Sequence, residues 1–315
     1  MQTAAPIMSK QTVLVVTGPT ASGKSALALA FAKRRGGTVI NADAMQTYDA
    51  FPILTAQPTA EERAAVPHTL YGVLPLRENL SAGRWSVMAS AEIERCLAAG
   101  RLPILCGGSG LYIRTLMQGI SPIPEVPAAI REQGNSDWQT MGGAAFRARL
   151  AERDPAIVAV LKPEDRQRHV RAWEVVEATG KPLSAWQKGE GTPAPWRFVT
   201  VLLAPERPWL RARIELRFDQ MLAGGVLEEA RAVFDSKPDP TWLGLKAHGA
   251  PEFFRHFRGE LSVDHARRVA IDHTRQYAKR QMTWFRHQVT PDLVLNPTAN
   301  PDLGAPEKLL DKIGV

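Results

Sequence analysis

Glycines, a lysine and a serine near the amino terminus are spaced for phosphate binding. Gly18, Gly23, Lys24 and Ser25 follow the pattern Gly-x-x-x-x-Gly-Lys-Ser, which is the P-loop pattern. Glycine lets backbone N–H groups curve around phosphate oxygens, the lysine adds a full positive charge, and the serine hydroxyl can hold Mg²⁺. We therefore predict a site for a phosphorylated ligand. Its residues are Gly18, Pro19, Thr20, Ala21, Ser22, Gly23, Lys24 and Ser25.

The segments on either side of this loop supply the context that a P-loop needs. Residues 12–17 form a β-branched run that is apolar on both faces, as in an interior strand of a parallel sheet. An alanine-rich helix is expected directly after the loop. A chance glycine-rich turn that opens a helix is the alternative explanation, and both flanking segments count against it.

The loop pattern leaves the identity of the ligand open. A nucleotide hydrolase usually adds an apolar strand that ends in a Mg²⁺-coordinating carboxylate. The nearest candidate, residues 39–43, is polar in the middle. This favours a role other than ordinary ATP hydrolysis, and a diphosphate would fill the same loop equally well.

Strands and helices alternate in a way that is typical of a parallel α/β sheet. Strands are expected at 12–17, 38–42, 102–106, 198–203 and 293–295, and helices at 85–97, 208–234 and 264–287. The helix at 208–234 is interrupted by Gly224 and Gly225. Between residues 121 and 196 we expect helical stretches at 144–153 and 166–178, and no strand. The prediction is a P-loop α/β core of residues 1–120 and 197–315 with a helical insertion domain at 121–196.

The composition excludes several classes of protein. With 315 residues, 44% hydrophobic and 23% charged, the chain is globular rather than disordered or coiled coil. No apolar run approaches the roughly 20 residues needed to span a bilayer, and the first residues lack a secretory signal, so we expect no membrane partner. Two cysteines are consistent with a reducing cytoplasm. The net charge of +7 favours a polyanionic partner.

Seven segments, taken in order, resemble the tRNA dimethylallyltransferase (tRNA isopentenyltransferase) family. They are GPTASGKS (18–25), DAMQTY (43–48), TAQP (55–58), PH (67–68), GGSGLY (107–112), TGKPLS (179–184) and RQYAKRQMTW (275–284). Singly most of them are weak, but together they are specific, and the resemblance runs from the P-loop to about Arg286. The chain departs from the family at Ala44, where serine is usual, at Gln57, where lysine is common, and at 248–252, where His-Gly-Ala-Pro-Glu replaces Gly-Tyr-Lys-Glu.

The resemblance implies an activity and its partners. A dimethylallyl group would pass from dimethylallyl diphosphate to the exocyclic amine (N6) of the adenosine next to the anticodon, position 37, in tRNAs that read codons starting with U. Diphosphate would be released, with Mg²⁺ held by Ser25 through that diphosphate. The helical insertion would grip the anticodon stem-loop, and we expect the enzyme to act as a monomer in the cytoplasm.

Three residues are the candidates for catalysis of this reaction. Asp43 follows the second strand, where ligand crevices open in such sheets, and could accept the proton of the adenine amine. The alternative is that its carboxylate only caps the next turn. Thr20 could donate to a diphosphate oxygen. Arg213 and Arg217 share a helix face, and one of them, best Arg217, could bind the diphosphate unless both form a solvated basic face.

Candidate contacts to tRNA combine cations for phosphates with groups that can read or stack on bases. Gln46 has the donor and the acceptor needed to read an adenine edge. The candidates are Asp43, Ala44, Met45, Gln46, Ser109, Arg131, Gln167, Arg168, His169, Val170, Arg171, Lys279 and Arg280. We expect Val170 and Trp173 to face inward and Trp284 to lie in the core.

Three rival functions stay open at this stage. They are a small-molecule kinase that holds ATP in the same loop, a prenyltransferase of free adenine nucleotides, and a non-catalytic RNA-binding P-loop protein.

Overall fold

Six parallel strands form one sheet in the computed structural model, which describes residues 11–189, 191–299 and 305–315. The strands are β1 (Thr12–Thr17), β2 (Thr38–Asn41), β3 (His68–Thr69), β4 (Pro103–Gly107), β5 (Arg197–Leu203) and β6 (Leu293–Leu295). Their order across the sheet is β3-β2-β4-β1-β5-β6, and every neighbouring pair is parallel. The predicted parallel α/β fold is confirmed. β3 escaped prediction because two residues carry no periodic signal.

The central strands are buried on both faces, which explains their continuous apolar sequence. In β1 the side chains of Val13 to Val16 are fully buried, and Val15 pairs with Leu105 of β4 and Thr200 of β5. β-branched residues suit such positions because they pack well on a pleated surface and lose little rotamer freedom there. The strand before the phosphate loop is thus held rigidly from both sides.

Helices cover the sheet and carry some of the candidate site residues. In the core they are α1 (Lys24–Arg35), α2 (Ala60–Ala65), α3 (Ala82–Ala98), α4 (Gly110–Gln118), α9 (Arg207–Ala223), α10 (Val226–Asp235), α11 (Ala250–Phe257), α12 (Val263–Gln288) and α13 (Pro306–Ile313). The predicted break between α9 and α10 is confirmed, and Gly225 there has a left-handed φ of 91°. No helix in the described ranges is both long and apolar enough to cross a membrane.

Residues 118–193 form a second compact unit that consists of helices. They are α5 (Ala128–Ala151), α6 (Pro155–Val160), α7 (Arg166–Thr179) and α8 (Leu183–Gln187). The sequence placed this unit at 121–196 and its first helix at 144–153. α5 in fact begins at Ala128 and changes direction at Gly142, whose φ is 80°, so the glycines in its middle hid the first half. Val170 and Trp173 of α7 are buried in the core of this unit, as expected.

The backbones of β2 and β4 approach each other closely at the edge where the candidate site lies. A Cβ atom on Gly107, the last residue of β4, would lie 2.1 Å from the carbonyl carbon of Ala42. Real Cβ atoms do not come that close, so only glycine fits without a shift of the backbone. The close approach brings the loop after β4 against the loop after β2.

We expect the substitution Gly107→Ala to lower the free energy of unfolding by about 1–3 kcal/mol, because an added methyl group must displace packed backbone. Urea denaturation measures the change. Gly83→Ala in α3 is the matched control, since a Cβ there meets only Ser81 Oγ at 3.9 Å. That control should leave the stability unchanged or raise it by up to about 1 kcal/mol. Equal effects of the two substitutions would contradict the close approach.

Candidate active site

The phosphate loop, residues 18–25, wraps the beginning of α1. Gly18 has a φ of 152° and a Cβ there would lie 2.7 Å from the carbonyl oxygen of Leu203, while Gly23 has a φ of 91°. Gly18 therefore has no room for a side chain, and the backbone conformation of Gly23 favours glycine. Lys24 is the first residue of α1, and its buried Nζ donates a hydrogen bond to the carbonyl oxygen of Pro19 at 3.3 Å. A helix amino terminus with free amides and a lysine is a site for an anion.

Ala21, at the tip of this loop, has a left-handed φ of 62°. A non-glycine residue in that region costs of order 1–3 kcal/mol and persists only where its surroundings hold it. Nothing in the sequence pattern signals this strain, because the P-loop pattern leaves the position unspecified.

Gln281 of α12 holds the phosphate loop against the end of β4. Its buried side chain accepts a hydrogen bond from the backbone N–H of Thr20 and donates one to the carbonyl oxygen of Gly108, both at 2.9 Å. A Cβ on Gly108 would lie 2.2 Å from Gln281 Nε2, so this glycine makes room for the amide. This role of Gln281 was not predicted from the sequence. Gln281 lies within the segment at 275–284, but the spacing of that segment does not show what its side chains contact.

Asp43 follows β2, and local hydrogen bonds fix its carboxylate. The Asp43 N–H donates to Asn41 Oδ1 at 2.8 Å, and Asp43 Oδ1 accepts from the N–H of Met45 at 3.1 Å. The N–H of Ala44 donates to Ser109 Oγ at 2.9 Å. The carboxylate therefore does cap the following turn, and it also lines the cavity described below. The two roles considered from sequence are compatible.

Arg217 of α9 lies beside Thr20. Its Nη1 donates to Thr20 Oγ1 at 3.2 Å and its Nη2 donates to the carbonyl oxygen of Thr55 at 3.1 Å. Its enclosed Nε has no hydrogen-bond partner among the described residues. Arg213 instead is exposed and lies over the ring of Trp209, 5.5 Å from its centroid. Of the two arginines, Arg217 is the one at the site.

Burial disfavours the charge on both cations of the site. It lowers the pKa of Lys24 and that of Arg217, and the nearby carboxylate of Asp43 raises both again. Cations whose pKa values are perturbed in this way mark a candidate functional site.

A cavity of about 220 Å³ lies between Thr20, Asp43 and Arg217. Its polar lining includes Thr20, Asp43 and Arg217, and its apolar lining includes Leu54, Ile214, Phe218 and Met221. The sequence could not identify the apolar residues, because core and cavity residues follow the same helical periodicity. The arrangement can bind an anionic group attached to a small apolar one.

The segment 248–252, at which the chain departs from the family pattern, contributes to the same cavity. His248 lines it, and its ring lies 4.7 Å, between centroids, from the ring of Tyr277. Burial lowers the pKa of His248 and raises that of Tyr277. Glu252 is buried behind them, where it accepts from the N–H of Gly249 at 3.0 Å and pairs with His273.

The candidate RNA contacts of the core differ in how available their side chains are. Lys279 and Arg280 are exposed on α12 beside an open hollow, whose lining also includes Gln276, Thr283 and Trp284. Trp284 was expected in the core, but it is only partly buried. The ring of Trp284 packs against Gly110. A Cβ atom on that glycine would lie 2.2 Å from the nearest atom of the ring.

Gln46 is engaged within the core, which corrects part of its predicted role. Its Nε2 donates to the carbonyl oxygens of Thr55 and Ala56 at 2.9 and 2.8 Å. Both amide hydrogens are used in this conformation, so only the acceptor Oε1 is left to read a base. Ala44, Met45 and Ser109 are partly exposed.

In the helical unit the candidate residues divide into exposed and buried ones. Arg131, Gln167 and Arg168 are exposed, and Arg171 is partly exposed beside Glu174. His169 and Val170 are buried, and His169 Nδ1 hydrogen-bonds the carbonyl oxygen of Asp165 at 2.8 Å. The prediction that these two side chains contact tRNA is therefore corrected, since on a helix only one face is free once the other packs in the core.

Comparison with known proteins identifies the family. A model described as IPP transferase matches residues 46–288, which is most of the chain. The chain belongs to the IPP transferase family. The family resemblance seen in the sequence is thus confirmed, and the match begins after the phosphate loop and Asp43.

Relatives of this IPP transferase are similar along nearly their whole length. Proteins named tRNA dimethylallyltransferase from Nitrobacter hamburgensis and Rhodospirillum centenum are 49% and 48% identical to it over 279 residues, which is 88% of this chain and 88–89% of theirs. A crystal structure of tRNA Δ(2)-isopentenylpyrophosphate transferase from Staphylococcus epidermidis superimposes with a TM-score of 0.69 at 28% identity, over 97% of this chain and 99% of that one. A eukaryotic dimethylallyltransferase structure, described as acting on tRNA, shares the fold with a TM-score of 0.82 at 24% identity, over 95% of this chain and 78% of that one.

We expect Gln281→Leu to lower the free energy of unfolding by about 1–3 kcal/mol, because the Thr20 N–H and the Gly108 carbonyl would lose their buried partner. Urea denaturation measures this. Gln220→Leu on the exposed face of α9 is the matched control and should change stability by no more than about 0.5 kcal/mol. If both substitutions were equally mild, the bridge would not hold the loop.

Proposed function

We propose that this IPP transferase transfers a dimethylallyl group from dimethylallyl diphosphate to the N6 amine of the adenosine next to the anticodon of tRNA, and releases diphosphate. The observation that carries the proposal is that Arg217 and Asp43 line one cavity whose other lining is largely apolar, and that the charge of Asp43 acts on both Arg217 and the nearby Lys24 of the phosphate loop. The names of the relatives agree with this reaction. Position 37 of tRNAs that read codons starting with U is the proposed target.

The proposed leaving group is stabilised by cations and backbone amides. As the bond from the allylic carbon to oxygen breaks, negative charge grows on the diphosphate, and fixed donors stabilise it most where water is excluded. Lys24 and the amides at the start of α1 bind the diphosphate, and the guanidinium of Arg217, which lines the cavity, donates to it. The Thr20 hydroxyl accepts from Arg217 and can donate its own hydrogen to a diphosphate oxygen.

The residues of the loop fit a Mg²⁺ ion that arrives with the substrate. Mg²⁺ usually keeps several waters and binds through few protein oxygens together with substrate phosphates. Ser25 offers one hydroxyl at the exposed start of α1, beside the thiol of Cys106, whose pKa burial raises to about 11. Ser25 would hold the ion, and the ion would supply further charge neutralisation of the diphosphate.

Asp43 is the proposed general base. The adenine amine is a poor nucleophile because its lone pair is delocalised into the ring, so removal of its proton assists the attack on the allylic carbon. The Met45 N–H fixes the carboxylate through Oδ1, which leaves Oδ2 for the amine proton. The negative charge also favours the cationic carbon.

The apolar lining is proposed to hold the five-carbon tail. At about 0.8 kcal/mol per buried carbon group, the tail contributes roughly 3–4 kcal/mol to binding. Leu54, Ile214, Phe218 and Met221 also keep water from the allylic cation, which water would otherwise capture.

Two surfaces are proposed to bind the anticodon stem-loop. In the core, Lys279 and Arg280 border the hollow on α12, and Ala44, Met45, Gln46 and Ser109 lie at the loops next to Asp43. In the helical unit the exposed Arg131, Gln167, Arg168 and Arg171 would contact the RNA backbone. The target base must leave its stack to reach Asp43, at a cost of a few kcal/mol.

Isotope transfer separates this function from its rivals. The protein is incubated with tRNA and either dimethylallyl diphosphate labelled in the allyl group or ATP labelled at the γ-phosphate. We expect allyl label in tRNA and no transfer from ATP, and AMP should not compete with tRNA. Transfer of the phosphoryl label to a small molecule would instead identify a kinase.

We expect Asp43→Asn to lower kcat by about 10²–10⁴-fold while tRNA binding persists, because the amide cannot take the proton. Single-turnover kinetics and filter binding measure the two effects. Asp49→Asn, an exposed neighbour, is the control and should leave kcat unchanged. Full activity of Asp43→Asn would remove Asp43 from the mechanism.

Raising the salt concentration should weaken tRNA binding far more than binding of inorganic diphosphate. For single-stranded RNA the slope of log K against log salt is about −0.7 per phosphate contacted, and the proposed basic surfaces contact several phosphates. Titrations at four salt concentrations give both slopes. Equal slopes for the two ligands would contradict the assigned surfaces.

A further inference from the structure

A short segment between β2 and α2, residues 51–57, fixes two side chains of the active site. The carbonyl oxygen of Thr55 accepts hydrogen bonds from Arg217 Nη2 at 3.1 Å and from Gln46 Nε2 at 2.9 Å. Leu54 and Thr55 also line the cavity. The position of this one carbonyl therefore sets the orientation of the Arg217 guanidinium.

The segment 51–57 forms a helix-like turn. The N–H of Thr55 bonds the carbonyl of Phe51, and the N–H of Gln57 bonds that of Pro52, at 3.0 and 2.9 Å. Such a turn leaves its leading N–H groups, here those of Ile53 and Leu54, without partners inside the turn. An acceptor from elsewhere in the chain must satisfy them.

Glu229 of α10 supplies that acceptor from 176 residues away. Its Oε1 accepts from the N–H of Ile53 at 2.7 Å and its Oε2 accepts from the N–H of Leu54 at 2.9 Å. Burial raises the pKa of this carboxyl, and the two amide hydrogen bonds lower it. Glu229 has no ion-pair partner among the residues that the structure describes. Its carboxylate therefore serves to bind the two amides of the turn.

We propose that Glu229 is a positioning residue: it holds the turn at 51–57 so that Thr55 orients Arg217 toward the leaving diphosphate. This rests on the proposed function. Without Glu229, the guanidinium keeps only the Thr20 hydroxyl as a fixed partner and can rotate about its side-chain bonds. Small displacements of a group that stabilises a transition state are costly, and a shift of about 1 Å can lower the rate 100-fold.

The test compares Glu229→Gln with Glu229→Ala at saturating tRNA. Glutamine keeps one acceptor and nearly the same volume, whereas alanine loses both acceptors. We expect kcat for dimethylallyl transfer to fall about tenfold for Gln and up to about 100-fold for Ala, with tRNA affinity unchanged within about twofold. Glu228→Gln, on the same helical turn but exposed, is the matched control and should match the wild type.

A double-mutant cycle shows whether the effect passes through Arg217. In an Arg217→Ala background, Glu229→Gln should change kcat by less than about twofold, because there is no guanidinium left to orient. The positioning role is overturned if Glu229→Gln lowers kcat by the same factor in the Arg217→Ala background as in the wild type. It is also overturned if Glu229→Gln alone has wild-type kcat. Thermal melting shows whether Glu229→Ala is folded, and the Gln variant carries the test if it is not.

The outcome is separable from that of the proposed function. If the wild-type protein transfers no dimethylallyl group, the proposed function fails. Binding of inorganic diphosphate to the wild type and to Glu229→Gln still tests the positioning role, which predicts weaker binding to the variant. Equal diphosphate affinity would overturn the positioning role alone.

Discussion

A buried lysine and a partly buried arginine beside one carboxylate, Lys24, Arg217 and Asp43, are the constraint on which the rest of the site depends. Desolvation disfavours the charges of Lys24 and Arg217, and only partial compensation comes from Asp43. An uncompensated buried charge is expensive, so the folded protein must stabilise this arrangement through its scaffold. The two cations and the one carboxylate leave a net positive charge of one, which favours an anionic ligand over a neutral one. The selectivity of the cavity begins with that charge balance.

The scaffold meets this demand by joining segments that lie far apart in the sequence. The parallel order of the strands gathers the ends of β1, β2 and β4 at one edge of the sheet. Gly107 allows the loops after β2 and β4 to touch, Gln281 joins the phosphate loop to β4, and Glu229 supports the turn that holds Arg217. Each of these contacts is a hydrogen bond or a close approach to backbone. The geometry of the charged groups is therefore set by main-chain positions, which vary less than side-chain rotamers.

The sequence predicts those parts of the molecule whose signals are local. The phosphate loop, the apolar strands and the break at Gly225 each depend on residues next to one another, and all are found. Gln281 and Glu229 escaped prediction because side chain to backbone contacts across 261 and 176 residues leave no periodic pattern. His169 was assigned to RNA because a basic-looking run does not show which helix face packs inward. The apolar cavity lining was invisible for the same reason.

The separation of Thr20 and Gln281 along the sequence also bears on how the protein folds during its synthesis. Because 261 residues separate the loop from its support, a growing chain carries an unsupported loop until α12 has left the ribosome. At about 5–20 residues per second, that interval is on the order of tens of seconds. The contact between Gln281 and the phosphate loop is therefore a late step in folding. Contacts between residues so far apart in the sequence form slowly.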